Sequence, residues 1–157
     1  MKALTLQQPW ATLVAYEKKM IETRSWSTKY RGDLAIHVSK KLYPENRRLA
    51  LTFTKEPFAM ALEGILWDKE PCTLLGNPAT RFFNHTEQLN LGCVIATCKL
   101  IDVQLIDPVF CKPLSLQELA FGDYTTGRFA WILENVKRLD NPVFVRGMLG
   151  LWEWQND

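Results

Sequence analysis

Lys19, Glu22 and Arg24 stand close together in EKKMIETRSW, residues 17–26. A carboxylate set between two cations can be held ionised, and a lysine beside Arg24 can lose its proton more easily. Either state serves proton transfer. The same side chains could also decorate a surface, with the lysine near the negative end of a helix dipole and Glu22 and Arg24 as an exposed pair of little energetic weight. Spacing alone leaves both readings open. The elements that must carry these side chains decide between them.

The three charges converge if a helix ends near Lys19 and a strand begins near Met20. Pro9 suits a first helical position, where a missing N–H is no loss. Trp10, Leu13, Val14 and Glu17 follow at helical spacing. From Met20 the pattern changes to period two. Glu22, Arg24 and Trp26 then share one strand face, with Ile21, Thr23 and Ser25 on the other.

Around this switch, residues 3–6 predict an opening strand. A turn at Tyr30–Gly32 leads to a strand over Asp33–Ser39, with Leu34, Ile36 and Val38 towards the core and Ala35 and His37 opposite. Pro44 opens a helix expected to reach Thr54, before Pro57 interrupts it. Gly92–Leu105 predicts a long strand, apolar on both faces. Ser115 and Glu118 form a capping-box pair for a short helix ending near Phe121. Gly122, Asp123 and Gly127 bracket a loop, and Phe129–Val136, Pro142–Val145 and Leu149–Trp154 predict closing strands. Residues 63–90 carry Gly64, Pro71, Gly76, Asn77 and Pro78 without a period, as expected of a loop insertion within a single domain over residues 1–157. The fold class is α+β: the strands are too scattered for a doubly wound sheet, and a small bent sheet or barrel with flanking helices fits them.

The chain has 157 residues, 47% of them hydrophobic and 23% charged, enough to bury one core. No apolar run is long enough to span a bilayer, and MKALTLQQPW lacks signal-peptide features, so no membrane association is expected and a cytoplasmic location is the default. Cys72, Cys93, Cys98 and Cys111 show no CxxC spacing, and the only histidines are His37 and His85. No metal site and no cofactor is expected from that set. The four thiols should be reduced and mostly buried, with Cys93 and Cys98 on opposite faces of their strand. Residues 1–48 hold ten Lys/Arg against four Asp/Glu, and the remainder holds nine against thirteen. A basic N-terminal third suits an anionic partner such as nucleic acid, although a solvated lysine-rich face has the same composition.

KMIETRSW also resembles the GxKxxExR signature of the ASCH (activating signal cointegrator homology) domains, with Lys19, Glu22 and Arg24 at its charged positions. QQPWATLV upstream, YRGDLAIHVSKK just after, and FGDYTTGRFAWILENV and RGMLGLWEW later are similar to single-domain ASCH proteins of bacteria and their viruses. The resemblance covers nearly the whole chain and is weakest over residues 50–90. The family's glycine falls at Glu17, so the turn must form without a residue that enters φ > 0 freely, and the helix is expected to run slightly further. The resemblance implies a PUA-like fold, a small mixed β-barrel whose helices flank a cleft lined by the motif. It implies RNA or DNA, or a nucleoside or nucleotide, as ligand. Some small relatives are amidohydrolases that deacetylate N4-acetylcytidine, ribonuclease activity has been proposed for others, and larger coactivator relatives suggest a protein-interaction module. The deacetylating relatives carry threonine where this chain has Glu22, so their mechanism does not transfer intact.

For nucleic-acid recognition, Lys19, Arg24, Lys29 and Arg31 would meet phosphates. Trp26 or Trp10 would stack an unpaired base. Trp26 is favoured because it shares a face with Glu22 and Arg24. Trp10, Trp131, Trp152 and Trp154 lie in apolar patterns that predict core. For metal-independent hydrolysis, Lys19 would be base or electrostatic stabiliser, Glu22 would activate water and Arg24 would orient substrate. Asp123 is a further carboxylate or a turn-former beside Gly122. His37 reaches the cleft or is a satisfied structural histidine. Gln8 caps a helix or reads a base edge, and Arg146 meets an anion or is merely exposed.

Overall fold

The computed structural model describes residues 1–46, 57–62, 65 and 89–155. Its strands are β1 (Lys2–Leu6), β2 (Ile21–Arg24), β3 (Gly32–Val38), β4 (Cys93–Leu105), β5 (Phe129–Phe144) and β6 (Leu151–Glu153). They form one mixed sheet in the order β2–β5–β4–β3–β1–β6, curled into a half-barrel. β1 and β3 run parallel, because α1 (Trp10–Ala15) and β2 lie between them in sequence and carry the chain back; the other pairs are antiparallel. Short helices α2 (Phe58–Leu62), α3 (Pro108–Cys111) and α4 (Leu116–Ala120) complete the described elements. None of the described helices is long and apolar enough to cross a membrane.

The main core is built from alternate residues of the sheet. Leu34, Ile36 and Val38 of β3 meet Leu4, Leu6, Trp131 and the Ala11–Val14–Ala15 face of α1, while Ala35 packs on the other side with Trp152 and Trp154. Leu13 of α1 turns into a second cluster with Phe58, Leu62 and Phe121.

Local irregularities redirect several predicted features. Ile36 pairs with Ala96 and His37 with Val94, leaving Ile95 as an extra residue on β4. That bulge shifts the alternation by one residue. Cys93 and Cys98 therefore share the main cluster instead of occupying opposite faces. Burial pushes both thiols up, that of Cys98 to about 12, and Cys93, Cys98 and Cys111 are free. The strand expected at Pro142–Val145 is the far end of β5. Pro142 falls between the pairs Arg138–Ala96 and Val143–Val94, where no ladder N–H is required of it. A helical turn starts at Pro44 and is described only to residue 46; the rest of the predicted helix lies outside the described residues. The same is true of nearly all of the expected insertion at 63–90, and of Cys72 and His85. Pro57 precedes α2 and accepts its first turn's bond from the Ala61 N–H, 3.0 Å.

The end of α1 sets up the site. The helix stops at Ala15 and does not run on; Glu17 itself takes φ +56°. The Lys18 N–H donates to Leu13 O at 2.8 Å and the Glu17 N–H to Val14 O at 2.9 Å. These bonds form a Schellman motif with glutamate in its left-handed position. The exposed Glu17 bears a steric cost there that glycine lacks. Glu17→Gly is expected to raise stability by about 1 kcal/mol, after allowing for glycine's greater freedom in the unfolded chain. A denaturant midpoint that falls would refute this.

Candidate functional site

The left-handed turn at Glu17 throws Lys19 inwards, and Lys19 is 0% exposed. Its ammonium donates to Ile21 O, two residues along the emerging strand. Glu22 Oε2 and Glu118 Oε1 each lie 3.8 Å from Lys19 Nζ. Glu22 and Arg24 project from one side of β2, and Arg24 Nε approaches Glu22 Oε1 to 3.1 Å. That approach is poorly aligned, so Nε is buried without a hydrogen-bond partner among the described residues. The other end of the guanidinium is anchored, with Nη2 donating to Thr5 O at 3.0 Å.

Glu118 comes from α4, far along the chain. Ser115 Oγ accepts from the Glu118 N–H at 3.1 Å, as the capping box predicts. The Glu118 carboxylate does not fold back onto its own helix. Oε2 accepts from the Met20 N–H at 3.1 Å, and Oε1 accepts from the Tyr124 hydroxyl at 2.9 Å. Gly122 permits this docking: a Cβ there would stand 2.6 Å from the Tyr124 ring and 3.0 Å from Thr23. Two cations and two carboxylates thus form one enclosed, neutral cluster.

Burial lowers the Lys19 pKa from its ordinary 10.5; Glu22 and then Glu118 oppose the shift, and Arg24 adds to it. Burial also raises that of Tyr124, with Glu118 adding to the effect. The signs for stability follow by linkage. Between Lys19's lowered value and 10.5, the unfolded chain holds more protons at this position than the folded one, so the Lys19 contribution rises with pH. Tyr124 works oppositely above its ordinary 10.0, where only the unfolded tyrosine ionises and stability falls. In ¹³C-labelled-lysine NMR, the Lys19 resonance should titrate at lower pH than the surface lysines; co-titration with them would contradict the assignment.

The cluster underlies a cleft. One cavity of about 470 Å³ is walled by Thr5, Gln7, Trp10, Glu22, Arg24 and Lys41, among others. A neighbouring space of about 360 Å³ shares Trp10 and Glu22 and continues to Gly122 and Asp123. Lys19 lies behind Glu22 and walls neither of these two cavities.

The remaining predicted residues fall in different places. Trp26 is not a cleft residue: β2 ends at Arg24, and the Trp26 ring packs edge-on against Trp131 at 4.6 Å, where its carbonyl accepts the Trp131 indole N–H. Trp10, expected in the core, is only partly buried; its edge meets Phe58 and it walls both cavities. Gln8 is buried as a cap, its Oε1 accepting from the Thr12 N–H and hydroxyl, so its amide is not free to read a base. His37 is a satisfied structural histidine. Its Nε2 donates to Val145 O at 3.0 Å and its Nδ1 lies 3.2 Å from Thr5 Oγ1, with burial lowering its pKa. Asp123 forms a turn: its carboxylate accepts from the Thr125 N–H and hydroxyl, which lower its pKa, and lies 3.3 Å from Arg128. Lys29 is exposed and Arg31 is paired with Asp102 at 3.1 Å; neither walls the cleft. Arg146 is exposed and walls an adjoining trough.

Glu118 and Tyr124 are the residues that sequence reasoning missed as parts of the cluster. Glu118 was visible only as a capping residue, and Tyr124 only as part of FGDYTTG. No local pattern reports that a helix 98 residues away brings its carboxylate to Met20.

A search of curated proteins finds none that matches this chain. The family model for the ASCH domain matches residues 4–143. That span runs from β1 into β5 and includes the Lys19–Glu22–Arg24 cluster, α4 and the sheet apart from β6, so the chain belongs to the ASCH domain family, whose fold is PUA-like.

Proposed function

We propose that the cleft above Glu22 and Arg24 binds a nucleotide unit of RNA or DNA, in the cytoplasm. The observation that carries this reading is the Glu22–Arg24 pair on the floor of a cavity walled by Trp10. Ionised glutamate offers only acceptors and arginine only donors. Set side by side, they complement the mixed donor and acceptor edge of an unpaired base, while the indole offers a stacking surface. Arg24 supplies the positive charge through the part of its guanidinium that stays accessible, its side chain being 25% exposed. Lys19 acts behind this surface, holding Glu22 and Glu118 in place.

The reading is tested by fluorescence anisotropy with labelled single-stranded RNA and DNA over a salt series. Arg24→Ala should weaken binding by about 1.5–3 kcal/mol, the worth of a hydrogen bond to a charged group, and reduce the salt dependence. Absent or salt-insensitive binding would overturn it.

A second reading, hydrolysis of a modified nucleoside or of RNA, draws on the lowered Lys19 pKa beside two carboxylates. The threonine implied by the deacetylating relatives is replaced here by Glu22. The adjacent Thr23, which walls the neighbouring space, has its Oγ1 engaged by the Asp123 N–H at 3.1 Å. Water would have to be the nucleophile, with Glu22 as its base. Turnover of N4-acetylcytidine or labelled RNA, lost in Glu22→Gln, is the expected result under this reading; no turnover across acylated nucleosides and RNAs would exclude it.

A further inference from the structure

The cleft opens into a larger trough of about 990 Å³, and the two share Thr5, Ser39, Lys41, Met148 and Leu149 as walls. Lys40, Lys41 and Arg146 stand along the trough, and none of its walls is acidic. None of these three cations forms an ion pair among the described residues. Large apolar side chains stand beside them: Phe144 is 75% exposed, Met148 53% and Leu149 99%. The trough is also firmly built. Thr5 Oγ1 donates to Met148 O at 3.1 Å, His37 holds Val145 O, and a Cβ at Gly147 would overlap the His37 ring. Because Thr5 O also receives Arg24, one residue fixes both the cleft floor and the trough wall.

We propose that this trough is a second subsite, holding the sugar-phosphate backbone and bases adjoining the nucleotide in the cleft, so that the ligand is a single strand of nucleic acid and not a free nucleoside. The inference rests on the nucleotide-binding reading of the cleft. Unopposed cations beside exposed apolar side chains match a strand whose phosphates are charged and whose unpaired bases present apolar faces. A duplex hides those faces. An acidic peptide would satisfy the cations but leave Phe144 and Leu149 without flat partners.

The test compares a labelled mixed-sequence octaribonucleotide with a mixture of nucleoside monophosphates, using the full chain and variants checked by circular dichroism. The octamer should bind at least tenfold more tightly than the monophosphates. Lys40→Ala/Arg146→Ala, which alters residues of the trough alone, should weaken the octamer about tenfold and shrink its log–log salt slope by about 1.4, the value for two lost single-strand contacts. Leu149→Ser should weaken the octamer with little change in that slope. Monophosphate binding should respond to Arg24→Ala instead. Equal affinity for octamer and monophosphate, or trough variants without effect, would overturn the second subsite and leave the cleft reading standing. Loss of neither ligand in Arg24→Ala, or binding of neither, would remove the cleft reading and the subsite with it. A polyglutamate peptide of matched charge binding as tightly as the octamer, with the same variant sensitivity, would make the trough an unselective anion surface and refute the proposal.

Discussion

Lys19→Met is expected to destabilise the protein by about 3 kcal/mol near neutral pH, the cost of removing one partner from a buried ionic cluster. Methionine fills much of the same space, so little of the loss is cavity. The loss comes from Glu22 and Glu118, each 3.8 Å from the same ammonium, left facing one another with little water. Release of the desolvation cost of Lys19 works in the opposite direction, but Arg24 beside Glu22 balances only one of the two carboxylates. The three-site variant Lys19→Met/Glu22→Gln/Glu118→Gln should therefore recover most of the loss, and acidification should recover part of it in the single variant. Denaturant unfolding at two pH values checks both. If Lys19→Met is neutral and the three-site variant is worse, the cluster is not held together by charge.

Exchanging the two tryptophans tests the site itself. Trp10→Ala should weaken single-stranded RNA binding by about 1–3 kcal/mol, roughly 5- to 150-fold, through loss of base stacking. Its stability effect is limited by a ring that is only partly buried and touches Phe58 by an edge. Trp26→Ala should do the reverse. Its ring packs at 4.6 Å on fully buried Trp131, and removing it should cost about 3 kcal/mol of stability. RNA affinity of the folded fraction should be retained. The contrast is readable from paired denaturation and anisotropy curves. Lost binding in Trp26→Ala with the fold intact would return the stacking role to Trp26.

The difference between these tryptophans shows where sequence reasoning succeeds. The change from helical to alternating spacing at Met20 placed Glu22 and Arg24 on one face of β2, because side-chain direction along a strand is set by the backbone itself. The same rule misplaced Trp26, since alternation holds only while the strand lasts and β2 ends at Arg24. It misplaced Cys98 for a related reason: the extra residue at Ile95 reverses the phase of β4. Glu17 was recognised as the position where glycine was missing. Only the structure showed that glutamate takes the left-handed conformation itself and leaves the helix no longer.

The sequence by itself determined the elements that rest on nearest neighbours: the helix-to-strand switch near Met20, the capped α4, the long apolar strands and the charged motif between them. Tertiary structure alone decided that Lys19 is sealed behind Glu22, that Glu118 and Tyr124 complete the cluster, and that Trp10, not Trp26, walls the cleft. It also gathered Lys40, Lys41 and Arg146 along one trough. The physical reason is range. Periodicity and capping are settled within a few residues by backbone geometry. The cluster depends on β2 pairing with β5 and on α4 docking against the start of β2, contacts whose partners lie about a hundred residues apart and leave no local trace.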